Sequence, residues 1–259
     1  IRYLDAARSY GRSEEFLAEW LRANPDVDDV AVGSKWGYTY TANWTTDAEK
    51  HEVKDHTLQT YERQRAETRE LLGDRLDLYQ IHSVTPDSPA LTDKALHARL
   101  AESGTPVGFS TSGPAQADAI RAALEITVDG DPLFSTVQST YNALEASAAP
   151  ALAEAHAAGL TVIVKEGMAN GRLAADTAPP AVRKIAEDTG VGPDAIALAW
   201  ILHQPWTGLV LSGAATTAQL KANLKAETIT LDDTQQAALA TLAEPPAAYW
   251  STRSSLPWH

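Results

Sequence analysis

The sequence predicts an α/β protein of the (β/α)8 TIM-barrel class. Three observations lead there. Seven short apolar runs recur along the chain, segments of helical period separate them, and the 259 residues match the roughly 250 of one barrel domain. The strand candidates are Ile1–Leu4, Val30–Gly33, Leu76–Ile81, Val107–Phe109, Ser135–Gln138, Leu160–Val164 and Gly208–Leu211. An eighth would precede Ile1, so the first strand/helix unit is expected to lie upstream of residue 1, with 1–259 read as one domain.

Between the first two runs, Phe16, Leu17, Trp20 and Leu21 fall on one helical face. Gly37–Lys54, "GYTYTANWTTDAEKHEVK", is a long polar-aromatic segment expected to hang over the C-terminal face of a barrel. Ala115–Leu124 and Ala151–Ala157 read as alanine-rich helices, and Pro193 suits the first turn of a helix through Ile196, Leu198, Trp200 and Ile201. Gly104, Gly159 and Gly190 sit where helices would end. No hairpin signature is expected, so the strands read as parallel with helical crossovers. From about 245, "PPAAYWSTRSSLPWH" reads as an aromatic tail without regular period. A doubly wound open sheet is the other arrangement such alternation allows, but no G-x-G-x-x-G follows any strand candidate.

Composition narrows the function. A formal net charge of −13 argues against nucleic acid as a main partner, because phosphate backbones need a basic face. No apolar run approaches the ~18 residues of a membrane span. With no cysteine, disulfides, thiolate nucleophiles and zinc–sulfur sites are excluded, and a cytoplasmic location is the expectation. No signal peptide is visible.

Three successive strand candidates finish at a different ionisable residue: Asp5 after Ile-Arg-Tyr-Leu, Lys35 after Val-Ala-Val-Gly-Ser, His82 after Leu-Asp-Leu-Tyr-Gln-Ile. Tyr10 lies in the loop after the first. Singly, each has another explanation. Asp5 can cap a helix, Lys35 can be a solvated charge, His82 can be a satisfied core histidine, and Tyr10 can be a loop aromatic. Together, at the strand ends where barrel active sites are built, they suggest a catalytic set.

These stretches resemble the aldo-keto reductase superfamily. "LDAARSYGRSEEFL" is similar to its Asp-Thr-Ala…Tyr-Gly…Ser-Glu signature, "VGSKWG" to its lysine strand, and "DRLDLYQIHSV" to its Asp-Leu-Tyr…His strand. The resemblance covers nearly the whole chain. It implies a tetrad of Asp5, Tyr10, Lys35 and His82, and reduction of a small-molecule carbonyl by hydride from a nicotinamide cofactor with tyrosine as proton donor. The chemistry suits these residue types. A free phenol with a pKa of about 10 is a poor acid at neutral pH, and a nearby ammonium favours the phenolate. Asp5 can hold Lys35 charged, and a neutral His82 can stabilise charge on the carbonyl oxygen.

The resemblance also implies cofactor residues. Ser110 and Thr111 in "VGFSTS" stand where the family shows Ser-Asn, and Gln138 matches its carboxamide-binding glutamine. In "VIVKEGMANGRL", similar to the family's Tyr-Ser-Pro-Leu motif, Lys165 replaces the stacking aromatic, Glu166 the serine that reaches the pyrophosphate, and Met168 follows. In "LSGAATTAQLKANL", Gly213, Thr216, Gln219 and Asn223 match the motif that clasps the adenosine end. Ala215 stands where a basic residue often grips the 2′-phosphate, which weakens a preference for phosphate, yet NADP(H) remains the expected cofactor ahead of NAD(H). Trp36, Tyr38 and Trp44 are candidate substrate-lining aromatics; packing the loops down is their other reading.

Two further readings compete. Lys165, Glu166 and Ala215 fit a non-catalytic nicotinamide-binding sensor subunit of the same fold, although such a protein need not keep the tetrad. An unrelated barrel lyase using Lys35 as a Schiff-base amine would leave Tyr10 and His82 without a purpose.

Overall fold

The structure, a computed structural model, describes residues 1–41 and 51–256. All seven expected strands form, most of them carried further toward their C-terminal ends. They are β1 (Tyr3–Asp5), β2 (Ala31–Trp36), β3 (Leu78–Val84), β4 (Val107–Thr111), β5 (Thr136–Thr140), β6 (Thr161–Lys165) and β7 (Leu209–Val210).

The chain divides into two compact units. The first contains Ile1–Thr111 and Ala122–Thr136, the second Ser112–Arg121 and Val137–Leu256. In the first, β1 to β4 hydrogen-bond in chain order and every pair is parallel. In the second, β5, β6 and β7 follow one another, with β6 parallel to β7. A parallel strand beside its successor, with helix between, is the construction of the (β/α)8 class. Because the strands are buried on both faces, β3 is buried at almost every position, and its Tyr79 and Ile81 are core residues with Val32, Trp36, Tyr61 and Phe109.

Helix α1 (Ser13–Ala23) buries only part of the face its apolar residues predict. Glu14, Ala18 and Leu21 are buried, whereas Phe16 is 57% and Trp20 43% exposed. The reason is a satisfied buried carboxylate. Glu14 accepts from Ser34 Oγ at 2.5 Å and Thr68 Oγ1 at 2.9 Å, and pairs with Arg8. Phe16 stays outside beneath the Arg12 guanidinium, 5.2 Å from its ring centroid.

Helix α2 (Leu58–Leu72) starts at Thr57, whose side chain accepts from the Thr60 amide. Helix α3 (Lys94–Ala101) starts at Asp93, which accepts from Ala95 and Leu96. The alanine-rich helices form as expected, α4 over Gln116–Leu124 and α5 over Ala149–Ala157. In the second unit, α6 (Pro180–Thr189) stops at Gly190 with φ 70°, and α7 (Pro193–Leu202) begins on its proline.

Among the described residues two antiparallel strand pairs are present where none was expected. Thr127–Val128 pairs antiparallel with Asp131–Pro132 through Asp129 (φ 54°) and Gly130 (φ 94°). Positive φ at both central residues is the type I′ geometry that Asp-Gly favours, so the signal was in the sequence. Tyr38–Tyr40 pairs with Glu52–Lys54, which ties down both ends of the polar-aromatic segment. The tail is likewise more regular than its composition suggests. Pro246 opens a helix, Pro246–Ser254, that buries Tyr249 and Trp250.

Candidate active site

In the first unit, β2 settles the orientation of two neighbouring residues. Successive side chains on a strand point to opposite faces. Lys35 is fully buried, pairs with Asp5 at the end of β1, and donates to the Ala6 carbonyl at 2.9 Å. Trp36 therefore points the other way. It is fully buried against Tyr61, with ring centroids 5.1 Å apart. Its packing against Tyr61 favours the structural reading of this aromatic over the substrate one.

Asp5 is held on both oxygens. Oδ2 takes the ammonium of Lys35, and Oδ1 accepts from the Tyr3 hydroxyl at 3.1 Å. Burial raises the Tyr3 phenol well above its ordinary pKa and the Asp5 charge raises it further, so Tyr3 stays a donor. A Cβ on Gly33 would lie 1.9 Å from the Tyr3 hydroxyl, so the neighbouring strand must carry glycine there.

The loop bearing Tyr10 is pinned from below. The Arg8 amide donates to the Lys35 carbonyl at 2.9 Å, and the Arg8 guanidinium reaches Glu14 and Glu67. Ser13 Oγ donates to the Ala7 carbonyl at 3.2 Å, and Gly11 takes φ 57°. Tyr10 is thereby presented 48% exposed.

These elements bring the four predicted residues together. The Lys35 ammonium lies 5.0 Å from the Tyr10 ring centroid. The Tyr10 hydroxyl is 3.5 Å from His82 Nε2, and the two rings meet edge to face at 5.5 Å. Ser9 Oγ is 3.5 Å from His82 Nδ1. Tyr38, a predicted substrate residue, sets its ring against His82 with centroids 5.0 Å apart. Trp44 lies outside the described residues. Strand ends are less tidy than expected: Asp5 closes β1, but Lys35 is penultimate in β2 and His82 lies within β3.

Of the expected cofactor residues, Ser110 has a structural task, accepting the Ser83 amide at 2.8 Å. Thr111 is buried at the end of β4 and Gln138 in the middle of β5. In the second unit, Glu166 takes φ 56° just past β6. Its carboxylate is gripped by Arg253 at 2.5 and 2.9 Å and by Thr140 Oγ1 at 3.0 Å, with the Lys165 ammonium 4.0 Å away. Burial pushes the Glu166 pKa upward, but Lys165, Arg253 and Thr140 together outweigh it and leave the carboxyl below its ordinary value. Arg253 was invisible to sequence reasoning, because only the helix of the tail brings it there. It offsets the charge of a carboxylate that the family resemblance sets beside the pyrophosphate.

The last motif is built on a short helix, Thr217–Asn223. Thr216 caps it and Gln219 completes a capping box, accepting from the Ala215 and Thr216 amides. Gly213 takes φ 61°, with Met168 Cε 3.7 Å from where a Cβ would stand. Asn223 donates to Ser212, while its buried Oδ1 has no hydrogen-bond partner among the described residues. An orphaned buried acceptor suits a ligand with an amino donor, such as an adenine. The residues of this motif therefore fit the adenosine end of a nicotinamide adenine dinucleotide.

The model of the aldo/keto reductase family matches residues 1–244. Aldo-keto reductase str7 of Strobilurus tenacellus is 24% identical over 277 residues, covering 93% of this chain and 77% of that protein. The solved structure of aldo-keto reductase AKR11C1 from Bacillus halodurans in its holo form superposes with a TM-score of 0.73 at 20% identity. That likeness covers 95% of this chain and 83% of the other, and shows a shared fold.

Proposed function

This chain belongs to the aldo-keto reductase family, and on that premise we propose that it is an NAD(P)H-dependent oxidoreductase that reduces an aldehyde or ketone. The observation that carries the reading is the convergence of a buried, carboxylate-paired ammonium and an imidazole on one exposed phenol. A nicotinamide cofactor, when bound, would supply the hydride that the carbonyl carbon receives. Tyr10 then gives its hydroxyl proton to the oxygen, and the Lys35 ammonium offsets the charge left on the phenolate. Asp5 pairs with Lys35 in a site where an unpaired ammonium would be costly. With Nε2 protonated, His82 donates toward the same oxygen and stabilises charge as it develops. The 3.5 Å separation of Tyr10 and His82 lets both donate to one oxygen lying to the side of the pair, about 2.8 Å from each.

Ser110, Thr111 and Gln138 are assigned to the carboxamide, Lys165, Glu166 and Met168 to the middle of the cofactor, and Gly213, Thr216, Gln219 and Asn223 to its adenosine end. NADP(H) is the expected form and NAD(H) a usable one, because exposed Ala215 offers no cation to a 2′-phosphate. Tyr38 is assigned to the substrate, which its contact with His82 supports. A cytoplasmic location remains part of this reading; among the described residues no helix is long and apolar enough to cross a membrane.

The test is turnover of an aldehyde, ketone and sugar panel with NADPH and NADH. Consumption of cofactor matched by alcohol formation supports the reading. Tight cofactor binding with no turnover across the panel would instead favour a cofactor-binding sensor.

A further inference from the structure

His82 sits where its strand loses regularity. The next residue, Ser83, takes φ 58°, and the pairing of β3 with β4 shifts register between Ile81 and Val84. A non-glycine residue in that conformation persists only where its surroundings fix it. Two groups from outside β3 do so. Ser110 Oγ takes the Ser83 amide at 2.8 Å, and His56 Nε2 lies 2.7 Å from the His82 carbonyl oxygen.

His56 has no place in the chemistry so far. It is buried, and its other nitrogen, Nδ1, is 2.6 Å from Ser88 Oγ. A carbonyl only accepts, so Nε2 must carry the proton, and Nδ1 then accepts from the Ser88 hydroxyl. The result is a relay with one polarity: Ser88 O–H to His56, His56 N–H to the His82 carbonyl. Burial, reinforced by Lys54, pushes the His56 pKa down to about 4, which keeps this neutral tautomer at working pH. The niche is shaped for the ring. Gly37 takes φ +108°, and a Cβ there would come within 2.5 Å of His56 Cδ2 and 2.9 Å of Nε2. The edge of Trp36 closes another side at 6.0 Å between centroids.

We propose that His56 is a positioning residue for carbonyl reduction: by holding the main-chain carbonyl of His82 at an irregular point of β3, it directs the His82 imidazole at the Tyr10 hydroxyl. The proposal rests on the reductase reading of Tyr10, Lys35 and His82. Were His56 only core filling, a leucine of similar bulk and a glutamine would serve alike. A glutamine can instead keep both bonds, donating from Nε2 to His82 and accepting at Oε1 from Ser88.

The experiment compares wild type, His56→Leu, His56→Gln and Ser88→Ala by steady-state kinetics at saturating NADPH, by melting temperature and by NADPH fluorescence titration. In His56→Leu, kcat is expected to fall about 10- to 100-fold, as for a catalytic group misplaced by about 1 Å, with KM and cofactor affinity changed less than about threefold. His56→Gln is expected to recover to within about fivefold of wild type, and Ser88→Ala to fall between the two. A kcat for His56→Leu within twofold of wild type overturns the proposal, as does a His56→Gln no better than His56→Leu.

A wild type without turnover would sink the reductase reading by itself. The second readout is therefore the imidazole resonances of His82, assigned by their loss in His82→Gln. They are expected to move in His56→Leu and Ser88→Ala and to hold in His56→Gln. Unmoved His82 resonances overturn the proposal whatever the activity. If His56→Leu does not fold, Ser88→Ala carries the same criterion.

Discussion

Acidifying the protein from pH 7.5 to 5 is expected to cost stability in proportion to one buried side chain, His56. Its surroundings hold it neutral. Desolvation is the largest cause and Lys54 a second, opposed by the His82 carbonyl and Asp55, and the balance moves its pKa from 6.5 to about 4. The sign follows from linkage. Between those two values the unfolded chain binds a proton that the folded protein refuses, so the contribution is full above about pH 6.5 and is lost as pH falls toward 4. At ~1.36 kcal/mol per pH unit the whole effect is about 3 kcal/mol, and about 2 kcal/mol of it is gone by pH 5. For a chain of this size that corresponds to a melting point about 4–8 °C lower. Carboxylates also titrate as the pH drops, so the assay is a difference: urea midpoints of wild type and His56→Gln measured from pH 7.5 to 4.5. The wild type should lose about 2 kcal/mol more than the variant by pH 5. Parallel curves for the two proteins would refute the claim that His56 is held neutral by burial.

Three other substitutions probe separate parts of the account. Lys35→Met strands the Asp5 carboxylate in a largely buried site and is expected to destabilise by roughly 3–5 kcal/mol, much of it restored in Lys35→Met/Asp5→Asn; equal melting temperatures for single and double variants would contradict the pairing. Arg253→Met uncovers the charge of Glu166 and is expected to weaken NADPH binding about tenfold in a fluorescence titration, with Glu166→Gln/Arg253→Met recovering most of it. Ala215→Arg places a cation where the 2′-phosphate is expected and should raise the NADPH over NADH ratio of kcat/KM about tenfold. No change in that ratio would argue against the assignment of the adenosine end.

Strand existence was readable because each strand is a short apolar run bounded by polar or glycine residues, as "VIVK" and "VGFST" show. Their ends were harder to place. Lys35 and Trp36 both belong to β2, and only the strand's alternation reveals that one faces Asp5 and the other the core. The α1 face was partly misjudged because a carboxylate satisfied by Ser34, Thr68 and Arg8 can be buried where hydrophobicity alone would place Phe16. The residues proposed as catalytic stood out as a set because they lie at or near three successive strand ends. His56 and Arg253 were not. Each acts through one long-range hydrogen bond or ion pair, to His82 and Glu166 respectively, and such partners leave no spacing to detect.

The central claim is that Tyr10 delivers the proton under the influence of Lys35 and His82. It is tested most directly by Tyr10→Phe, with carbonyl turnover and NADPH binding measured on the same preparation. The account predicts a kcat at least ~100-fold below wild type with cofactor affinity unchanged within about twofold. Undiminished turnover by Tyr10→Phe would contradict it.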